Sequence, residues 1–599
     1  MKGNHKEGLL ISDFNIENLA AYLRNDTCEP QVQCTVAPYG QVAQMLLDGN
    51  LRGWAQGLDF ALVWTRPEGV LPSFGALLNG SEIDEARLWN EIDEYSRQLL
   101  QAGGRAGLVF VPVWVEPGLH HGHGMLDLAP RIGVARVLME ANLRLLKNIE
   151  GGSNMVPLNT AKWVELAGDR AFDPRLWYMA KVPFGNDLFK TAVRDIKAAL
   201  RGASGRARKL IILDLDNTLW GGIVGEVGWQ KVLLGGHDPL GEAFRDFQRG
   251  LKALTKRGVL LAIASKNDEA TALEAIRSHP EMVLRLDDFA GWRIDWRDKA
   301  QNIADLVASL NLGLDAVVFI DDNPVERARV RGALPEILVP DWPDDKRLYT
   351  HALHSLDCFD KPSISDEDRR RSQMYVSERK RSDRRAQIGS LDEWLGTLHQ
   401  QVTVEPLSRA NLGRLVQLLN KTNQMNLSTR RMSEQEFKAW ADMEHHRVWA
   451  INVADTFGDS GLTGVLSVEV DGFGARIVDF LLSCRVMGRK IEEAMLHIAV
   501  EWARCAQIKE IRLVYSPTAR NGPCLDFLQR SGLRSQSENV FVWDADLEYP
   551  LHPSIRLVQL SGDPSGDPAS RPEIPLAAPS GANEPASDRR NQESSASGG

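Results

Sequence analysis

The stretch Lys209-Leu-Ile-Ile-Leu-Asp-Leu-Asp-Asn-Thr-Leu-Trp220 decides the fold. Leu210 to Leu213 is too short and too continuously apolar for an amphipathic helix, so it reads as a buried strand of a parallel sheet. Ligands of such sheets bind outside the carboxyl ends of the strands, where Asp214 and Asp216 fall. Side chains two positions apart share a face of an extended chain, and a turn here lets both carboxylates converge on one phosphate. Clustered carboxylates repel each other. They call for a divalent cation with oxygen ligands, and Mg²⁺ is the expected one.

The same pattern recurs downstream. Val259-Leu-Leu-Ala-Ile-Ala-Ser265 is an apolar strand ending in a hydroxyl, followed by Lys266-Asn267-Asp268. Lys299 sits in Asp298-Lys-Ala-Gln-Asn-Ile303, the start of a helical pattern, and Ala316-Val-Val-Phe-Ile320 runs into Asp321-Asp322-Asn323-Pro324. In this order the four pieces resemble the signature of the haloacid dehalogenase (HAD) superfamily of phosphotransferases. The resemblance gives each a role. Asp214 would take the phosphoryl group as an aspartyl phosphate. Asp216 would protonate the leaving oxygen and then activate water. Thr218, Ser265, Lys266 and Lys299 would bind phosphate oxygens, the lysine charge offsetting that of the transition state. Asp214, the carbonyl of Asp216, and Asp321 or Asp322 are the expected metal ligands. Fewer than 50 residues lie between Asp216 and Ser265, and fewer than 35 between Ser265 and Lys299. That leaves no room for a large cap domain, so the site should be open. Trp220, Gly221, Gly222 and the loop to Trp229 could form a flap over it.

Asp214-Leu-Asp-Asn-Thr-Leu-Trp-Gly-Gly-Ile-Val-Gly-Glu-Val-Gly228, Ser265-Lys-Asn-Asp-Glu269, Trp292-Arg-Ile-Asp-Trp296 and Phe319-Ile-Asp-Asp-Asn-Pro-Val-Glu-Arg327 resemble, more narrowly, the FkbH-like family. This implies a partner, an acyl carrier protein bearing phosphopantetheine, and a substrate, 1,3-bisphosphoglycerate, converted to a glyceryl thioester in polyketide-type biosynthesis. Many members carry Cys immediately before the Ser of the second motif, where this chain has Ala264. Cys484 and Cys524 are the substitutes, the latter at a helix start that would lower its pKa. The alternative reading is a Mg²⁺ phosphatase acting on another phosphorylated metabolite, with the outer domains serving for docking.

Towards the C-terminus, Gly464 to Val470 and Ala475 to Cys484 alternate as strands, and Arg485-Val-Met-Gly-Arg-Lys490 opens an amphipathic helix over 491–503. With the strand 511–515 and Asn521-Gly-Pro-Cys524 this resembles the GNAT acyltransferase fold, whose loop wraps a phosphate at a helix N-terminus. Arg485, Gly488 and Asn521 become candidate pantetheine ligands. Lys490 stands where a small residue is usual, which weakens pyrophosphate binding.

Ahead of the HAD motifs, 58–64 and 106–114 read as strands, with helices around 85–101 and 132–147. In the FkbH-like family this region resembles an SGNH-hydrolase fold. No Gly-Asp-Ser nucleophile motif stands near its start, so a non-catalytic scaffold or docking surface is expected. His120-His-Gly-His123 reads as an exposed loop rather than a metal site.

The fold expected is thus α/β: a Rossmann-like HAD domain without a large cap, preceded by an SGNH-hydrolase-like α/β domain and followed by a GNAT-like α+β domain. The expected divisions are 1–29, an N-terminal segment; 30–200, SGNH-like; 201–360, HAD-like; 361–399, a charged solvated connector whose basic face could receive an acidic carrier protein; 400–547, GNAT-like; and 548–599, a disordered Pro/Ser/Gly/Ala-rich tail. A net charge of −10 without a basic stretch on the scale of a binding face argues against nucleic acid. Six scattered cysteines fit a reducing compartment. No signal-like apolar region or membrane-length run occurs, so a soluble cytoplasmic enzyme is expected.

Overall fold

Residues 5–158 carry the first parallel sheet of the computed structural model, which describes residues 5–48, 54, 57–118, 120, 124–152, 154–386, 388–472, 474–518 and 520–559. Its strands are β1 (His5–Ser12), β2 (Gln31–Val36), β3 (Leu58–Trp64), β4 (Ala106–Pro112) and β5 (Met155–Leu158), in the order β2-β1-β3-β4-β5. Every pairing is parallel. The expected N-terminal segment 1–29 is corrected here. Its residues 5–12 form a central strand, and the helix Glu17–Asn25 packs beneath it through Leu19, Ala20 and Leu23. The exposed start of that strand, His5-Lys-Glu, hides the buried run Gly8 to Ser12 that makes it one. Helices Glu85–Gly103 and Val134–Ile149 cover one face and Asn186–Ala203 the other, so two apolar cores sandwich the sheet.

The second sheet contains β6 (Leu210–Leu213), β7 (Leu260–Ser265), β8 (Phe289–Ile294) and β9 (Val317–Ile320), ordered β8-β7-β6-β9 and parallel throughout. All four residues of β6 are buried, as the continuous apolar run requires. The edge strand β8 was not anticipated; Gly291 and Arg293 interrupt its apolar run. Between β6 and β7 the chain forms a short helix (Val224–Val227) and the long helix Pro239–Thr255; between β7 and Lys299 it forms the helix Glu269–Ser278 and β8. Among the described residues there is no cap domain.

By internal packing the chain divides into two compact units, 1–376 and 377–599, the division falling within the helix Asp366–Ala386. In the second unit, β10 (Gln400–Pro406), β11 (Met425–Asn426), β12 (His446–Asp455), β13 (Gly458–Asp471), β14 (Gly474–Leu482), β15 (Glu510–Val514), β16 (Arg534–Ser537), β17 (Val540–Asp544) and β18 (Ile555–Gln559) form one mixed sheet. Their order is β16-β17-β15-β14-β13-β12-β10-β18, with β11 pairing β14. The β12-β13-β14 meander is antiparallel; the helix Ile491–Cys505 then returns the chain to β15, parallel to β14. The tail expected from 548 is corrected, because β18 pairs in parallel with β10; 560–599 lie outside the described residues. The connector is not uniformly solvated: Arg381 is buried and donates to Asp455 at 2.6 and 2.8 Å. No described helix is long and apolar enough to cross a membrane.

Candidate active site

β6, β7 and β9 end side by side, and each delivers a polar group at its carboxyl end. Asp214 follows β6 and its backbone N–H donates to Ile320 O at 3.0 Å, which fixes it against the end of β9. Asp321 and Asp322 follow β9. Lys299 is the first residue of the helix Lys299–Ser309, started by Asp298, whose carboxylate accepts the Gln301 N–H. That start aims the lysine across the strand ends. Its Nζ lies 2.9 Å from Asp214 Oδ1 and 2.6 Å from Asp321 Oδ2, with only 4% of the residue exposed.

The charges do not balance. Asp214, Asp321 and Asp322 offer oxygens that lie within 4.8 Å of one another, and one buried ammonium faces them. Lys346 reaches Asp322 Oδ2 only at 3.4 Å. Burial, reinforced by the Asp214 charge, pushes the Asp321 carboxyl up to about 6. Burial by itself would lower the Lys299 pKa, but the two carboxylates outweigh it and hold the ammonium above its ordinary value. Such a set of hard oxygen donors with surplus negative charge fits a divalent cation of the Mg²⁺ class.

Around the triad the backbone is held tightly. Arg327 Nη1 donates to the carbonyls of Asp321 and Asp322, both at 2.8 Å, and the Asn323 N–H donates to Asp321 Oδ1 at 2.8 Å. Thr218 is fully buried, and its hydroxyl accepts the Asp322 N–H at 3.2 Å. Ser265 closes β7 and is 2% exposed. Lys266, expected on phosphate, instead forms an ion pair of 2.7 Å with Glu326.

The Asp216 carboxylate is not part of the acidic cluster found among the described residues, and the ligand expected from this residue is its carbonyl. Asn217 takes the left-handed conformation at φ 56°, turning the chain away after Asp214. Asp216 Oδ1 then accepts the Trp220 indole N–H at 2.9 Å and the Val224 N–H at 3.0 Å, and Oδ2 accepts Asn267 Nδ2 at 2.8 Å. The carboxylate thus ties the 220–224 segment to the loop after β7. Burial nonetheless raises its pKa, against the pull of these donors. Trp220 and Asn267 stand inside the quoted motifs, but nothing in their spacing assigns them to Asp216. Lys346 and Tyr349, whose hydroxyl bonds Lys346 at 2.8 Å, belong to no motif and were missed.

The expected phosphate loop of the second unit is filled by the protein itself. Gly488, at φ 72°, points its N–H at Glu492 Oε1, 2.7 Å away. Arg489 is buried and paired with Glu378 and Asp455. Arg485 Nε donates to Ser483 Oγ at 3.1 Å. Asn521 is fully buried: Nδ2 donates to the carbonyls of Asn426 and Ser516 at 3.0 and 2.9 Å, and Oδ1 accepts Tyr515 OH and Thr518 N–H at 2.8 and 2.7 Å. Gly488 and Asn521 are therefore corrected as pantetheine ligands, since their polar groups are already satisfied. Cys524 is corrected as an acyl thiol. It is fully buried, and burial pushes its pKa up to about 12, which outweighs the helix start. The side chain of Cys484 lies outside what the structure describes. His121 to His123 also lie outside the described residues, while His120 Nε2 is 3.5 Å from Glu116.

The N-terminal part of the protein BF1531 from Bacteroides fragilis, which contains a phosphatase domain and is complexed with Mg, aligns with this chain at a TM-score of 0.54 and 28% identity. The alignment covers 60% of this chain and 95% of that one. Spermidine N-acetyltransferase from Vibrio cholerae, complexed with CoA and spermine, aligns at a TM-score of 0.21 and 14% identity, covering 25% of this chain and 98% of its own. Nothing about this chain follows from similarity at that level. No protein-family model matches the sequence, and no curated protein does.

Proposed function

We propose that this chain is a Mg²⁺-dependent phosphotransferase that converts 1,3-bisphosphoglycerate to a glyceryl thioester on an acyl carrier protein, in polyketide-type biosynthesis. The observation that carries the phosphotransferase half is the buried Asp214–Lys299–Asp321 contact at the strand ends, with Asp322 beside it. The finer half rests on the FkbH-like motifs around it.

Asp214, Asp321 and Asp322 would hold the ion, which when bound supplies charge neutralisation to a phosphate. Asp214 attacks phosphorus of the C3 phosphate ester, and the bond from phosphorus to the C3 oxygen breaks. Asp216 delivers a proton to that oxygen; its raised pKa favours holding one, and it must leave its flap bonds to do so. Water, losing its proton to Asp216, then releases phosphate from Asp214. Lys299, in contact with Asp214, offsets charge on the transferred group. The carrier thiol attacks the C1 carbonyl, the bond from C1 to the phosphate oxygen breaks and phosphate leaves with the thiol proton, so the acyl group survives as a thioester. Attack by Asp214 on the C1 phosphate would instead yield a carboxylate and lose that activation.

A second reading has its own observation. Glu492 fills the helix start where an acyltransferase would hold a phosphate. This favours a Mg²⁺ phosphatase acting on another phosphorylated metabolite, with the outer domains used for docking.

The test is the intact mass of a holo carrier protein incubated with the enzyme, Mg²⁺ and 1,3-bisphosphoglycerate, with Asp214→Asn in parallel. A glyceryl adduct with wild type, replaced by phosphoglyceryl or no adduct in the variant, supports the coupled reaction. Phosphate release that depends on Asp214 without any adduct leaves the phosphatase reading.

A further inference from the structure

The first sheet, order β2-β1-β3-β4-β5, reverses direction at β1/β3, and such sheets bind ligands in the crevice beyond the carboxyl ends of their strands near that point. An open pocket lies at this end. Its walls are the segments following β3 (Thr65 to Glu68) and β4 (Val113 to Gly118), together with residues of 172–184. About 730 Å³ of empty space, open solvent at the mouth included, lies between these walls. Trp64, Phe172, Trp177 and Phe184 supply aromatic walls, and Arg66 and Glu68 a charged floor.

Among the described residues of that floor, one guanidinium faces two carboxylates. Arg66 donates through Nε to Asp13 at 2.9 Å and through Nη1 to Glu68 Oε1 at 3.0 Å, while its guanidinium lies 4.2 Å from the Trp177 ring centroid. One guanidinium therefore serves two carboxylates, and Glu68 Oε2 is buried without a partner. Burial raises both the Asp13 and the Glu68 pKa, the mark of anions short of counter-charge. At the rim, Glu116 adds a third carboxylate, 3.5 Å from His120 Nε2, and Asp173 a fourth, already bonded to Arg175. An anionic ligand would meet these acids with the Arg66 and Arg175 guanidinium groups already engaged.

Among the described residues lining the pocket, Thr65 carries the one hydroxyl. The Ser12 hydroxyl accepts the Phe14 N–H at 3.1 Å and is not part of the pocket wall. The Thr65 hydroxyl is bonded to Tyr95 OH at 3.1 Å and to the Trp114 indole N–H at 3.2 Å.

We propose that this pocket binds an organic cation, an amine on a compact apolar body, with the Glu68 carboxylate as its counter-ion. The aromatic walls take the apolar body, and the ammonium supplies counter-charge to the Glu68 carboxylate, whose side chain is partly exposed. The proposal is independent of the phosphotransferase reading, since none of its residues belongs to that site.

Ligand-observed NMR titration of the full chain with 2-phenylethylamine, 3-phenylpropanoate and 3-phenylpropan-1-ol tests it. These probes share an aryl-alkyl body and differ in charge. Wild type should bind the amine saturably and at least tenfold more tightly than the other two. Glu68→Gln should remove that preference with its thermal unfolding midpoint retained. Leu78→Trp, which adds bulk to the wall while leaving the charges in place, should weaken the amine as well. Equal binding of the three probes, no binding of any, or an unchanged preference in Glu68→Gln overturns it.

Discussion

Lys299 shows what a single side chain does at this site. It is held by two carboxylates and buried almost completely, so removing it leaves Asp214 and Asp321 facing each other unpaired. Losing one partner of a buried charge pair costs about 3–5 kcal/mol. In Mg²⁺-free buffer, Lys299→Ala should therefore unfold at markedly lower temperature than wild type. Added Mg²⁺ should raise the midpoint of the variant more than that of wild type, because the cation meets more uncompensated charge. Phosphatase activity should fall by at least a hundredfold even with Mg²⁺ saturating, since the ion does not replace the lysine beside the transferred group. Calorimetry with and without Mg²⁺, together with turnover of a chromogenic phosphate ester, checks both parts. A variant that keeps its activity would remove Lys299 from the chemistry.

Elements act mainly through their first turns. The helix Ile491–Cys505 begins with Lys490 in the left-handed region, and Glu492 folds back onto the Gly488 N–H. A carboxylate at a helix N-terminus is favourable and excludes any other anion. Millimolar coenzyme A should leave the unfolding midpoint of wild type unchanged, whereas Glu492→Ala, with the cradle emptied, should gain a measurable shift. A shift in wild type would show that the carboxylate yields. At the start of the helix Asp366–Ala386, Asp368 is held by Lys361 at 2.9 Å and by Arg371. Burial alone would raise its pKa; the Lys361 bond and the Arg371 charge outweigh burial and hold it at about 2. A depressed acid stabilises the fold at pH above its unfolded pKa, and that stabilisation is lost as pH falls from about 4 towards 2. The gap in urea midpoint between wild type and Asp368→Asn, worth about 2 kcal/mol or less, should be constant from pH 7 to 5 and narrow below pH 4. A gap that stays constant below pH 4 would remove the charge from the account.

Over the whole molecule, what the sequence made legible was the strand-end chemistry. β6, β7 and β9 are continuous apolar runs closed by polar residues, and that pattern carries both the strand and the site. β1 escaped notice because its exposed polar start looks like a loose terminus, and β18 because it borders a Pro-rich tail. The roles of Asp216 and Glu492 were not legible, because each depends on where a side chain turns after its backbone is placed. Asp216 turns to Trp220 and Asn267, and Glu492 turns back to Gly488. The two units 1–376 and 377–599 keep separate apolar cores, the acidic triad lying in the first and the filled loop in the second. A ligand that binds only the native form stabilises it by RT ln(1 + [L]/Kd), about 2.7 kcal/mol at a hundredfold excess over Kd. Mg²⁺ held by Asp214, Asp321 and Asp322 should therefore slow amide hydrogen exchange in the segments that carry or touch the triad: 214–222, 295–303 and 320–327. The mixed sheet of 400–559 has no share in the triad and should exchange at the same rate with and without Mg²⁺. Asp322→Asn should abolish the protection in the first unit while leaving exchange in the second untouched. Protection that also appears around 484–492 would mean a second cation site or coupling between the units, and would overturn the assignment of the ion to the strand ends alone.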